Sequence, residues 1–176
     1  MANKFVTVIT GPAGSGKSTV ANKLAKQLTK CVNIEVDYIK HFVVSGFKYD
    51  LAPDGTKQWR FEEWQLVGDS IGLLARNFHE IGYNVIINGY MDEDGWEATV
   101  KHIELTHKFL LLPDIKTVVD RDADRPGDLP MGKETVLKHH NDFSNNKFYD
   151  DFTKIDSTNH TTEATVEIIA KQLKQF

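Results

Sequence analysis

The stretch Gly11-Pro12-Ala13-Gly14-Ser15-Gly16-Lys17-Ser18-Thr19 constrains this chain more than any other. It fits the pattern G-x-x-x-x-G-K-[ST], and its surroundings fit as well. The apolar run Phe5-Val6-Thr7-Val8-Ile9 ahead of it reads as a buried strand, and Val20 to Leu28 behind it carries helical periodicity. Strand, glycine-rich loop and helix in that order make a phosphate cradle. Backbone N–H groups of Gly11, Ala13, Gly14, Ser15 and Gly16 turn toward phosphate oxygens, and the helix N-terminus adds its partial positive charge. Lys17 reaches the β- and γ-phosphates, the Ser18 hydroxyl suits Mg²⁺, and Thr19 is placed for the α-phosphate.

The rest of the chain reads as strands alternating with helices. Residues 4–10, 32–36, 84–88, 107–112 and 152–155 have strand character. Residues 17–29, 38–45, 60–80, 93–104, 114–124, 131–147 and 162–175 have helical character. Ser45-Gly46 and Ala52-Pro53-Asp54-Gly55 mark an irregular stretch. Alternation of this kind implies βαβ units, a parallel sheet and right-handed crossovers. No repeat, low-complexity tract or linker interrupts the 176 residues, so a single domain over 1–176 is expected. Such sheets bind ligands at the carboxyl ends of their strands. That rule gathers Gly11–Thr19, Asp37, Asn88–Met91, Pro113 and Asp156–Asn159 along one edge.

A net charge of −4 argues against a protein that coats nucleic acid. The single cysteine, Cys31, cannot close an internal disulfide and is expected as a buried thiol. No apolar run approaches membrane-spanning length and the N-terminus lacks a signal-peptide profile, so the expected location is the cytoplasm.

Asp37 follows Lys17 by twenty positions and closes the second strand. A carboxylate there could take the proton of an acceptor hydroxyl, hold Mg²⁺ through water, or cap the next helix. Glu35 shares its side of the strand if the alternation holds, as the weaker candidate. Arg121 and Arg125 are two of only four arginines, and their spacing puts them on one helical face ahead of Pro126-Gly127. They suit either a lid around 121–135 that clamps phosphates or ion pairs with Asp120, Asp122, Asp124 or Asp128. Asn88 suits an acceptor contact or a strand cap. Trp59, Phe61, Trp64, Tyr90 and Trp96 border the acceptor side, with core packing expected for Phe61 and Trp64. His102, His107, His139 and His140 show no metal spacing and are expected to be mostly solvated. Asp92-Glu93-Asp94 reads as a turn and helix entry.

Gly11–Thr19, Asp37-Tyr38 and Arg121-x-x-x-Arg125 before a Pro/Gly break resemble the small P-loop kinases. That group includes gluconate and shikimate kinases, chloramphenicol phosphotransferase and phage-type polynucleotide 5′-kinase. The resemblance implies a three-layer α/β P-loop NTPase fold of the nucleoside-monophosphate-kinase kind, with a five-stranded parallel sheet and a helical lid. It implies ATP and Mg²⁺ as cofactors and a small hydroxyl compound as phosphoryl acceptor, in a monomer or homodimer. It assigns Lys17, Asp37, Arg121 and Arg125 to catalysis, with Asp37 as general base and the arginines on ATP phosphates. Ser18 and Asp37 become the metal-binding pair, and Asp156–Asn159 the turn beside adenine. Two features depart from the group. The third strand ends Ile87-Asn88-Gly89 without an aspartate, and the shikimate-type glycine triplet is missing. A P-loop ATPase or switch acting on a protein partner is the rival class, although no guanine-specific N-K-x-D motif is present and the chain is short for an AAA+ motor. Within the kinase class a nucleic-acid 5′-hydroxyl kinase stays open, which the net charge does not encourage.

Overall fold

Every residue of β1 (Val6–Thr10) is buried, and the molecule is built outward from that strand. A computed structural model describes residues 4–51, 57–126 and 130–173. After β1 come α1 (Lys17–Gln27), β2 (Cys31–Glu35), α2 (Val36–Lys40), β3 (Tyr49–Leu51), β4 (Lys57–Trp59) and α3 (Phe61–Glu80). Then follow β5 (Asn84–Asn88), α4 (Glu93–Val100), β6 (His107–Leu111), α5 (Ile115–Ala123) and α6 (Lys133–Asn145). A 3-10 turn at Lys147–Tyr149, β7 (Thr153–Ile155) and α7 (Thr162–Leu173) complete the order. Five strands form a parallel sheet in the order β2-β5-β1-β6-β7.

Side-chain alternation sorts the core into two sides of this sheet. Val6, Val8, Val85, Ile87 and Leu110 pack with Trp64, Val67 and Ile71 of α3 and with Trp96 of α4. Phe5, Ile9, Ile86, Phe109 and Leu111 pack with Val20 and Leu24 of α1 and Val166 and Ile169 of α7. Helices therefore cover both faces, as continuous apolar strands require. The three-layer α/β architecture with a five-stranded parallel sheet is the one expected from the sequence.

Gly68 explains how α3 and α4 come so close. A Cβ there would lie 2.1 Å from the Gly95 carbonyl oxygen. The approach lets the buried Thr99 hydroxyl donate to the Gly68 carbonyl at 3.1 Å and to its own Gly95 carbonyl at 2.9 Å. Gly68→Ala should gain about 1 kcal/mol of helix propensity. The forced separation of the helices should outweigh it, for a net loss of about 1–3 kcal/mol. Chemical denaturation of the variant measures this, and an unchanged or raised midpoint would refute the packing argument.

Several expectations need correction. The second strand stops at Glu35, and the helix expected at 38–45 is α2, over Val36–Lys40. Asp37 is thus inside the first helical turn and does not cap it; Glu35 occupies the cap position. The irregular stretch contains an antiparallel pair, with Tyr49 opposite Trp59 and Leu51 opposite Lys57. Strands of three residues are too short to display a period of two. Trp64 is core as expected, but Phe61 is 51% exposed and Trp96 is buried within the core. Ala52–Gly55, Gly127, Asp128 and the last two residues of the expected final helix lie outside the described residues.

Candidate functional site

The loop between β1 and α1 is held from both sides. The Thr10 hydroxyl donates to the Gly89 carbonyl at 2.9 Å, joining the ends of β1 and β5. Gly14 has φ +77°, and a Cβ on it would stand 2.2 Å from the Val118 carbonyl of α5. Only glycine meets both demands. Gly16, at the N-cap of α1, is also left-handed, and no side chain caps this helix. Its first-turn N–H groups are therefore left for a ligand, and the helix dipole favours an anion there. Ser15 is buried behind the loop. Its N–H donates to the Pro12 carbonyl at 3.1 Å, while its hydroxyl has no partner among the described residues.

A cleft of about 550 Å³ opens over this loop. Gly11, Ala13, Gly14, Gly16, Lys17, Ser18 and Thr19 form one wall; Glu35, Asp37, Lys40, Arg121 and Arg125 also line it. Lys17 Nζ lies 3.4 Å from the Pro12 carbonyl oxygen. Burial pulls its ammonium down to about 8; Asp37 and Glu35 oppose that shift, while Arg125 and Lys40 add to it. Four cationic side chains around a bare helix N-terminus make a site for a polyphosphate.

The facing carboxylates divide differently from expectation. Glu35, the weaker sequence candidate, accepts a hydrogen bond from Ser18 Oγ at 2.9 Å. Asp37 meets Lys40 Nζ at 3.3 Å, and Lys40 in turn lies 4.3 Å from the centre of the Trp59 ring and 5.0 Å from that of Trp64. Both acids line the cleft, but through the strand-to-helix turn at Val36 and not through strand alternation. Lys40 had no motif to mark it; its partners come together only in the fold.

Arg121 and Arg125 both line the cleft, and each also has a protein partner. Arg121 Nη2 donates to the Ser157 carbonyl at 3.2 Å, and Arg125 Nη1 pairs with Asp122 at 3.3 Å. Asp122 is 2% exposed although it is an acid on a helix. Its carboxylate also accepts N–H bonds from Met131 (2.9 Å) and Gly132 (3.2 Å). Asp122 thus ties the two ends of the 124–132 segment together at its base. In the expected lid, residues 121–123 and 133–135 are helical, while 124–126 and 130–132 are not. The Asp156 turn forms as an Asx turn, with the Thr158 N–H donating to Asp156 at 2.9 Å.

Asn88 is fully buried at the end of β5, paired in register with Glu35, and donates to Asn33 at 2.7 Å. It does not line the cleft. The four histidines are half-buried, contrary to the expectation of mostly solvated side chains. His139 stacks on Tyr90 at 5.5 Å, and His140 Nε2 meets the Pro113 carbonyl at 2.9 Å. A chain of ring contacts runs from Phe47 through Trp59, Trp64 and Tyr90 to His139. Cys31 is half-buried where a buried thiol was expected, and desolvation still raises its pKa to about 11. The Asp92 carboxylate caps α4, accepting from the Gly95 N–H at 2.9 Å.

Loop, sheet order and cleft together define a three-layer P-loop fold with a nucleotide-type phosphate cradle. The chain belongs to the AAA domain family, whose sequence profile matches residues 6–142. Its fold is shared by a sugar kinase from Janibacter sp. HTCC2649, at 15% identity and a TM-score of 0.71, over 97% of this chain and 95% of that one. The tunicamycin resistance protein of Deinococcus radiodurans aligns at 22% identity and a TM-score of 0.69, over 97% and 96% of the two chains. Thymidylate kinase from Candida albicans aligns at 13% identity and a TM-score of 0.67, over 98% and 92%. No curated protein matches the chain by sequence. Among the described residues no helix is long and apolar enough to cross a membrane.

Proposed function

We propose that this chain is an ATP-dependent kinase, a single domain over 1–176, that transfers the γ-phosphate to a hydroxyl of a small molecule such as a sugar acid or antibiotic. The observation that carries the reading is one cleft holding the Lys17 loop, two carboxylates and two arginines. Kinases among the proteins of similar fold support it.

In this reading the loop amides and the α1 N-terminus bind the phosphate chain. Lys17, Arg121 and Arg125 offset the charge that builds on the transferring group. Asp37 accepts the proton of the acceptor hydroxyl, and Lys40 holds its carboxylate in place. The position where an aspartate would end β5 is the buried Asn88. Ser18 and Glu35, already bonded to each other, are the donor set that fits Mg²⁺, with Asp37 beside them. When bound, Mg²⁺ would neutralise phosphate charge.

Glu35→Gln should therefore weaken ADP binding by about tenfold in magnesium and leave it unchanged in EDTA. Calorimetric titration reads both. An equal loss in the two media would remove Glu35 from the metal site.

The reading is tested by ADP release in the presence of alcohols, sugars, antibiotics and nucleosides. Stimulation by one hydroxyl class supports it. The rival, an ATPase acting on a protein partner, predicts steady hydrolysis that no small hydroxyl compound changes.

A further inference from the structure

A second cavity of about 330 Å³ adjoins the phosphate cleft. It lies between the Tyr90–Glu93 turn, α6 and the 3-10 turn at Tyr149, and it shares Tyr90 and His139 with the cleft. We propose that this cavity is the acceptor pocket and that the acceptor is a hydroxylated amine, its ammonium group held between carboxylates and phenol rings. The inference rests on the kinase reading and adds the acceptor class to it.

Charge separates the two spaces. The cleft holds Lys17, Lys40, Arg121 and Arg125, whereas the cavity is lined by Asp92, Glu93 and Asp142 with no lysine or arginine. Burial lowers the His139 pKa below its ordinary value, so the histidine shared by both spaces stays neutral near pH 7 and does not offset the acids.

The polar groups of the cavity are incompletely used. Asp92 accepts from the Gly95 N–H, and Glu93 accepts from the Asn146 amide at 2.8 Å. The Asp142 carboxylate has no hydrogen-bond or ion-pair partner among the described residues. Tyr149 is 4% exposed, lines the cavity, and its hydroxyl likewise has no partner among the described residues. That hydroxyl is not among the polar atoms sealed from solvent, and Tyr149 is one of the residues that line the cavity. Burial and the neighbouring Tyr90, Glu93, Asp92 and Asp142 all hold its proton on. A phenol so largely buried, with an unpaired hydroxyl beside an open cavity, suits a polar ligand there.

A bare metal ion is the wrong occupant. Among the described residues no three His, Cys, Asp or Glu groups are placed to hold one. Acids spread around a space of this size suit an organic cation. Tyr90 adds an aromatic face, which ammonium groups favour. A hydroxyl on the same molecule can extend past Tyr90 and His139 toward the phosphate cleft.

The probes are matched pairs: glucosamine, serinol and an aminocyclitol, each against its N-acetylated form, at a pH where the amines are protonated. Binding is measured by calorimetry with ADP bound, and transfer by ADP release from ATP. The expected result is that at least one amine binds about tenfold more tightly than its acetylated partner, and that Asp142→Asn removes the difference while ADP affinity stays unchanged. Asp142 is exposed, so the variant should fold. No preference in any pair, whether both members bind or neither does, overturns the proposal, as does a preference that survives Asp142→Asn. Transfer to neutral alcohols without amine preference overturns it while leaving the kinase reading intact. Amine-selective binding without transfer removes the kinase reading, and the acceptor assignment with it.

Discussion

Lys17→Ala should lower phosphoryl transfer by about a thousandfold or more while the protein stays folded, because in the proposed mechanism Lys17 is the one loop side chain that brings charge to the transferring group. The loop itself survives the change. Its shape is set by Gly14 against Val118 and by Gly16 at the helix start, and not by the lysine. Circular dichroism should be unaltered, and retention of full turnover by the folded variant would defeat the assignment. A pH effect follows from the same residue. With its pKa lowered to about 8, free Lys17 is charged below that pH and loses its proton above it. Phosphate binds the charged form, so ADP affinity should be flat below pH 8 and fall as the pH rises through it. Lys17→Ala should abolish that fall. A pH dependence that is the same in both proteins would assign it to another group.

Asp37→Asn should separate chemistry from binding. In the proposed mechanism the loop and the arginines hold the nucleotide, so ADP affinity should change little. Transfer should fall by about a hundredfold or more, the scale of losing a general base. If Asp37 mainly serves the metal, the variant will instead require more Mg²⁺, and basal hydrolysis will fall together with transfer. A third possibility, that Asp37 only caps a helix, is removed by the geometry, since Asp37 sits inside α2 and Glu35 holds the cap position. Unchanged transfer to a confirmed acceptor would leave Lys40 without a catalytic partner to position.

The phosphate cradle was legible because its chemistry is local. Strand, glycines, lysine and helix are contiguous, and each constrains its neighbours. The sheet was legible for a similar reason, as β1, β5 and β6 each carry apolar residues shortly before a glycine or proline. What escaped is held by contacts distant in sequence. Glu35 looked secondary because strand alternation could not show that its carboxylate meets Ser18. Asp122 entered only as one of four acids beside the arginines, yet its burial and its bonds to Met131 and Gly132 depend on how the segment returns. Lys40 became visible only once the short β3–β4 pair brought Trp59 against it. Phe61 misled for the opposite reason. Its spacing fits the apolar stripe of α3, but it begins the helix beyond the edge of the core.

In the proposed reaction the γ-phosphate leaves ATP for a hydroxyl oxygen of a small molecule. The most direct measurement follows γ-labelled ATP with purified protein, Mg²⁺ and the acceptor panel, and separates labelled ester from labelled inorganic phosphate. The account predicts label in a phosphate ester of one acceptor class, dependent on Lys17 and Asp37. Label appearing in inorganic phosphate alone, at a rate that no acceptor alters, would contradict it.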